Sequence, residues 1–141
     1  MHHFPKTRKR YSSLNKASAK QGDCTFCTNA RSEPTITENE SMYVVANRVS
    51  YDLFEGYHVA DHLMIIPKQH RLSIAEFTPQ EAQDYISIAG EFEAKGYSVF
   101  ARGTDSPTRS VAHQHTHLIK LKGTAPKAII YTAKPHILIA R

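Results

Sequence analysis

Ser110-Val111-Ala112-His113-Gln114-His115-Thr116-His117-Leu118-Ile119 sets three of the chain's nine histidines at every second position. In an extended strand successive side chains leave on opposite faces, so His113, His115 and His117 line one face while Gln114 and Thr116 line the other. On a helix the same spacing would scatter the rings. Imidazoles are nucleophilic and metal-competent near neutral pH, and burying a row of them without partners is costly, so the row reads as a site. The strand is expected to begin with the histidines and to run on through Lys120 and Leu121.

Working outward, Arg102 to Thr108 is a turn of small polar residues. Gly103, Thr104, Ser106 and Thr108 offer backbone and hydroxyl donors to an anion beside the histidines, or form an ordinary surface turn. Tyr97 to Ala101 has strand character. Before it, Thr78-Pro79-Gln80-Glu81 combines an N-cap threonine, proline at the first helical position and glutamate at the third. A helix follows over Thr78 to Lys95, with Ala82, Tyr85, Ile86, Ala89 and Phe92 on its apolar face and Gly96 as a left-handed exit. A shorter helical turn is expected near Ser73 to Phe77. Leu63 to Ile66 is an apolar run stopped by Pro67, a strand covered on both faces. Met42 to Ala46 is a further strand, and Asn47 to Asp61 reads as a loop with apolar anchors at Tyr51, Leu53, Phe54 and Tyr57. Ala128 to Tyr131 and His136 to Ala140 are two short apolar elements of open type. Strands, one long helix and strands again define an α+β fold: an antiparallel sheet of about five strands, one long helix and a short helical segment.

A chain of 141 residues is long enough for one core. No apolar run reaches membrane-spanning length and no secretory apolar core follows the first basic residues, so no membrane partner and a cytoplasmic location are expected. Of the net charge of +5, Lys6, Arg8, Lys9, Arg10, Lys16 and Lys20 fall in the first twenty residues. Residues 1–22 are therefore expected to be a basic, flexible segment, and 23–141 a single domain. The basic segment is either a solvated tail or an arm for nucleic acid or another polyanion. Cys24 and Cys27 form a C-x-x-C pair, which without a secretion signal suggests metal or redox chemistry before a structural disulfide.

Three blocks carry a resemblance. His113-Gln114-His115-Thr116-His117-Leu118-Ile119 resembles the signature of the histidine triad superfamily, in which apolar residues separate the histidines. Asp61-His62-Leu63-Met64-Ile65-Ile66-Pro67-Lys68-Gln69-His70 is similar to the family's strand ending in Ile-Pro-Lys-x-His. Cys24-Thr25-Phe26-Cys27 resembles the opening of its zinc-bearing bacterial members. The blocks stand in the family's order between Cys24 and Leu121. Gln114 and Thr116 depart from it, so the face opposite the imidazoles is expected to be wet or packed on something polar. The segment Asn47 to His62 is longer than in the smallest members.

The resemblance implies a nucleotide hydrolase that cleaves at the nucleoside-linked α-phosphate of phosphoramidates or dinucleoside polyphosphates through a covalent nucleotidyl-histidine. It makes His115 the nucleophile and His117 the group that binds the phosphate or the leaving atom; a histidine at 117 suits the hydrolase branches, where transferases carry Gln. It places Ser110 as a donor to the phosphate, Asn47 at the ribose hydroxyls, Phe26 or Val45 beside a purine, and Arg109 near a distal phosphate or in solvent. It assigns a structural zinc to Cys24, Cys27, His70 and His113, with His58 and His62 as substitutes for His70. A homodimer acting on a purine nucleotide completes it. The alternatives are a nucleotidyltransferase or phosphorylase, a deadenylylating enzyme that holds nucleic acid through the basic segment, and a non-catalytic nucleotide-binding module.

Overall fold

The computed structural model describes residues 3, 4, 7, 9, 24–28, 34–127, 129–133 and 136–140. A helical turn α1 (Thr25–Thr28) precedes strands β1 (Thr35–Glu38), β2 (Met42–Ala46), β3 (Leu53–Phe54) and β4 (Tyr57–Pro67). A 3-10 turn (Ile74–Glu76) leads to the long helix α2 (Pro79–Ala94), followed by β5 (Ser98–Ala101), β6 (Thr116–Leu121), β7 (Ile129–Ala133) and β8 (His136–Ala140). The main sheet runs β1-β2-β4-β6-β5 with β3 added on β4, six strands in all, and every pairing is antiparallel. β7 and β8 form a separate antiparallel pair. The fold is α+β, as expected.

Alternation along the strands gives the sheet two different faces. Met42, Val44, Leu63, Ile65 and Leu118 point toward Ile88, Ala89 and Phe92 of α2 and form the larger core cluster. Each such fully buried aliphatic side chain contributes about 1.5–3 kcal/mol. Tyr43, Val45, Met64 and Ile66 form a second cluster under Phe26, while Tyr51, Phe54 and Ile119 form a third. The helix is capped as its sequence dictates: Thr78 accepts from the Glu81 N–H, the Glu81 carboxylate accepts from the Thr78 N–H, and Gly96 leaves at φ +83°. Within it, Ile86 does not join the apolar face; it is 66% exposed and Ile88 is buried instead. Tyr85, Ile88 or Ala89, and Phe92 keep the three-and-four spacing, and Ile86 stands about 100° round from Tyr85.

Two other expectations are corrected, and one strand is added. The segment Asn47 to Asp61 is not a continuous loop: Glu55 (φ 50°) and Gly56 (φ 82°) make a two-residue turn with positive φ at both positions, and β4 starts at Tyr57. Thr35–Glu38, which lies in a polar stretch of the sequence, is an edge strand, where one paired side is enough. The histidine strand starts at Thr116, not at His113. Its partner β4 ends at Pro67, which has no N–H to donate, and the Gln114 N–H bonds instead to the Arg71 carbonyl at 2.6 Å.

Most of residues 1–22 lies outside the described residues, as do Lys134 and Pro135. Two of those that are described are held by Asp52: the Phe4 N–H donates to its Oδ2 at 2.7 Å and Thr7 Oγ1 to its Oδ1 at 3.2 Å. Among the described residues no helix is long and apolar enough to cross a membrane.

Candidate active site and metal cluster

Although regular strand geometry begins late, the parity of the histidine row survives. His115 and His117 pack edge to face with centroids 5.1 Å apart, and Phe26 stands edge-on to both His113 (5.8 Å) and His115 (5.1 Å). On the opposite face Gln114 Nε2 donates to Thr116 Oγ1 at 3.3 Å, and Thr116 Oγ1 meets the Tyr85 hydroxyl at 3.1 Å. The two departures from an apolar pattern are thus a small buried polar network against α2.

The acceptors around the rings decide their tautomers. His115 Nδ1 lies 2.9 Å from the His113 carbonyl, which can only accept, so Nδ1 carries the proton and Nε2 keeps its lone pair. His62 Nδ1 accepts from the Tyr51 N–H at 3.1 Å, which puts the His62 proton on Nε2. That Nε2 lies 2.9 Å from His117 Nδ1, the only acceptor it can use there, so His117 carries its own proton on Nε2. His117 Nε2 is buried and has no hydrogen-bond partner among the described residues. A buried unsatisfied donor costs about 1–3 kcal/mol, and an anion beside it would remove that cost.

Burial is the main reason these rings stay neutral: His62 is pushed down to about 4 and His117 to about 2, the latter helped by the neighbouring charges of His62, His115 and Arg102. Burial also lowers His115, with Arg109 and Arg102 adding to it against the His113 carbonyl. Both arginines therefore act on the site through their charge. Arg102 reaches Tyr51 OH at 2.9 Å, meets Thr108 Oγ1 and lies over the Phe100 ring.

The metal-ligand residues converge. The ligating atoms of Cys24, Cys27, His70 and His113 all lie within 4.8 Å of one another. His113 Nδ1 is 3.4 Å from Cys24 Sγ and 3.5 Å from Cys27 Sγ, and His70 Nδ1 is 3.3 Å from Cys27 Sγ. His113 Nε2 donates to the Pro67 carbonyl at 3.0 Å, which leaves the Nδ1 lone pair facing the sulfurs. A proton held on the far nitrogen is how a ligating histidine is oriented. Two thiolates and two imidazoles at this spacing fit a tetrahedral ion, and these four residues could hold a metal. His70 points into the cluster, so no substitute is needed; His62 belongs to His117.

The remaining expected positions are spread along the rim. Asn47 is half-buried; its Oδ1 accepts from the Val49 N–H and its Nδ2 is 3.1 Å from His62 Nε2. Gly103, Thr104 and Ser110 are exposed on the loop between β5 and β6. Arg109 is engaged with backbone: Nε donates to the Val111 carbonyl, and Nη2 to those of Leu72 and Ala112. It braces the segment that leads to the histidines. Sequence reasoning leaves His62 as a spare ligand; the available signal is its parity with Met64 and Ile66, which puts it on the histidine face of a strand paired with β6.

No protein-family model matches the sequence. The protein Hit of Bacillus subtilis (strain 168) is 27% identical over 110 residues, 72% of each chain. Among solved structures, the HIT family hydrolase from Clostridium thermocellum matches with a TM-score of 0.56 and 22% identity, over 75% of this chain and 96% of that one. The histidine triad nucleotide-binding protein from Candida albicans matches with a TM-score of 0.56 and 17% identity, over 81% and 86%. The chain has the histidine triad fold.

Proposed function

We propose that the protein is a histidine triad hydrolase that cleaves nucleoside phosphoramidates or dinucleoside polyphosphates at the α-phosphate through a nucleotidyl-His115 intermediate. The observation that carries this is the 2.9 Å bond from His115 Nδ1–H to the His113 carbonyl, which presents an unprotonated Nε2 as nucleophile. His115 Nε2 attacks phosphorus, the N–P bond forms as the bond to the leaving atom breaks, and His117 Nε2–H donates a hydrogen bond to that atom, stabilising its charge while the leaving group takes any proton it needs from solvent. The His113 carbonyl and the phosphate stabilise the charge that develops on His115. Water then attacks phosphorus, the N–P bond breaks with its electron pair returning to His115 Nε2, the proton that water loses passes to solvent, and the nucleoside monophosphate leaves. His62 takes no part in bond making; it is a positioning residue that keeps the His117 proton on Nε2.

Zinc is the ion proposed for the Cys24, Cys27, His70 and His113 cluster. With four protein ligands it has no open position for water, so its chemistry there is structural. It would hold α1 against the sheet and fix the backbone of His113, whose carbonyl orients the nucleophile. A homodimer in the cytoplasm completes the reading, with Asn47 and Ser110 near the ribose and phosphate.

The test is chemical trapping with a substrate labelled at the α-phosphorus. Acid-labile label is expected on the wild-type chain and not on His115→Ala, which should still bind nucleotide. Wild-type turnover with no trappable adduct under rapid quench would count against the intermediate.

A further inference from the structure

The peptide that joins His113 to Gln114 is held at both ends. Its carbonyl accepts from His115 Nδ1 at 2.9 Å, and its N–H donates to the Arg71 carbonyl at 2.6 Å. A peptide group is planar, and in the trans form its C=O and N–H point to opposite sides. The direction in which the nucleophile's acceptor points is therefore set by where residue 71 stands. Hydrogen bonds in such a chain also polarise one another, so the engaged N–H makes the carbonyl a stronger acceptor.

Residue 71 is itself fixed from several directions. Its side chain donates from Nε to Glu81 Oε1 at 3.0 Å, the Leu72 N–H donates to Glu76 Oε2 at 2.8 Å, and the Leu72 carbonyl accepts from Arg109 Nη2 at 2.6 Å. Glu81 is the buried member, 5% exposed in the first turn of α2. Its other oxygen, Oε2, accepts from the Thr78 N–H at 2.7 Å, so one carboxylate closes the helix cap and grips Arg71. Burial pushes this carboxyl up, but the Thr78 N–H and the Arg71 guanidinium outweigh burial and hold it below the ordinary carboxylate value. The cap needs only one glutamate oxygen. A buried ion pair adds little net stability once desolvation is counted, and what this one adds is a fixed position for residue 71.

Resting on the function proposed above, we infer that Glu81 and Arg71 are a positioning pair for the nucleophile. From the α2 cap they aim the Arg71 carbonyl, and through the His113–Gln114 peptide they keep the His115 proton on Nδ1 and leave Nε2 free for attack.

The test uses Arg71→Met, Arg71→Lys and Glu81→Gln in the full chain. Glutamine at 81 can serve the Thr78 N–H with its single oxygen and so keep the cap, which leaves its NH2 facing Arg71 Nε, donor to donor. Glu81→Gln therefore keeps the test intact if Arg71→Met does not fold. Both pair-breaking variants should lower kcat for adenosine phosphoramidate by about 10–100-fold with KM within about twofold, and Arg71→Lys should recover much of it. Nitrogen-15 shifts of His115, read without substrate below the melting transition, are a signature that lost stability alone would not move. Wild type should show Nδ1 protonated and Nε2 bare; the pair-breaking variants should show mixed tautomers. Unchanged His115 tautomers in those variants, equal losses in Arg71→Lys and Arg71→Met, or a tautomer change confined to protein that has also lost its metal would each overturn the inference. If the wild type turns over no phosphoramidate, the proposed function fails, and the His115 shifts still decide the role of the pair.

Discussion

His62 Nε2 meets His117 Nδ1 at 2.9 Å across the β4–β6 pair, two residues off the direct register in which His62 faces Ile119. Diagonal neighbours on one face of a sheet are within reach of aromatic side chains, and this pair uses the reach to pass a tautomer preference from a backbone N–H to the His117 ring. His62→Phe should therefore lower kcat by about 10–100-fold with little change in KM. His62→Gln, which can still accept from Tyr51 and donate to His117, should recover much of it. Nitrogen-15 shifts of His117 supply a readout that a merely structural role would not move: Nδ1 unprotonated in the wild type, mixed in His62→Phe.

Acid should weaken the fold through the same rings. His62 falls from the usual 6.5 to about 4 and His117 from 6.5 to about 2, mainly by burial, so the folded state binds fewer protons than the unfolded chain below the unfolded value. Their contribution is fully present above about pH 6.5 and is lost as pH falls toward 4 and below. Thermal melts from pH 7.5 downward should show Tm falling in that window, with a shallower fall in His62→Phe.

Removing the metal should act on both stability and chemistry. About one zinc per chain is expected by elemental analysis, and Cys27→Ser should reduce it. Chelation should lower Tm by at least ~5 °C and kcat with it, because the His113 backbone that orients His115 loses its tether. Unchanged kcat in fully metal-free protein would separate the cluster from the nucleophile.

Thr116→Val addresses the other face of the same strand. It leaves Gln114 and the Tyr85 hydroxyl without their shared partner in a buried place, so it should cost about 1–3 kcal/mol in denaturant melts. Turnover at a temperature where the variant is folded should stay near the wild-type value.

Elements whose cause is local are legible in the amino-acid sequence. The Thr78-Pro79-Gln80-Glu81 cap, the Gly96 exit and the apolar run into Pro67 each rest on neighbouring residues alone, and α2 and the end of β4 stand where those signals lie. The Glu55-Gly56 turn and β1 are not legible there. The first lacks the usual asparagine or aspartate before glycine, and the second is a short edge strand whose β-branched Thr35-Ile36-Thr37 is a weak signal inside a polar stretch.

The chain's sequence by itself determined the parity of His113, His115 and His117, the C-x-x-C bite and the α+β order, because side-chain alternation and short-range spacing are properties of the local backbone. The His115 tautomer rests on the carbonyl of His113 two residues away, but only the tertiary structure decided which nitrogen of His113 and of His117 is free. That depends on partners brought from far along the chain: the Pro67 carbonyl, which accepts from His113, and His62, which accepts from the Tyr51 N–H and donates to His117. The tertiary structure also decided that Asp52 holds Phe4 and Thr7, contacts 45 or more residues apart in sequence that no local pattern announces. The free nitrogens of His113 and His117 and the Asp52 contacts are set by what folding brings near, and that is why neither could be read from the row of histidines.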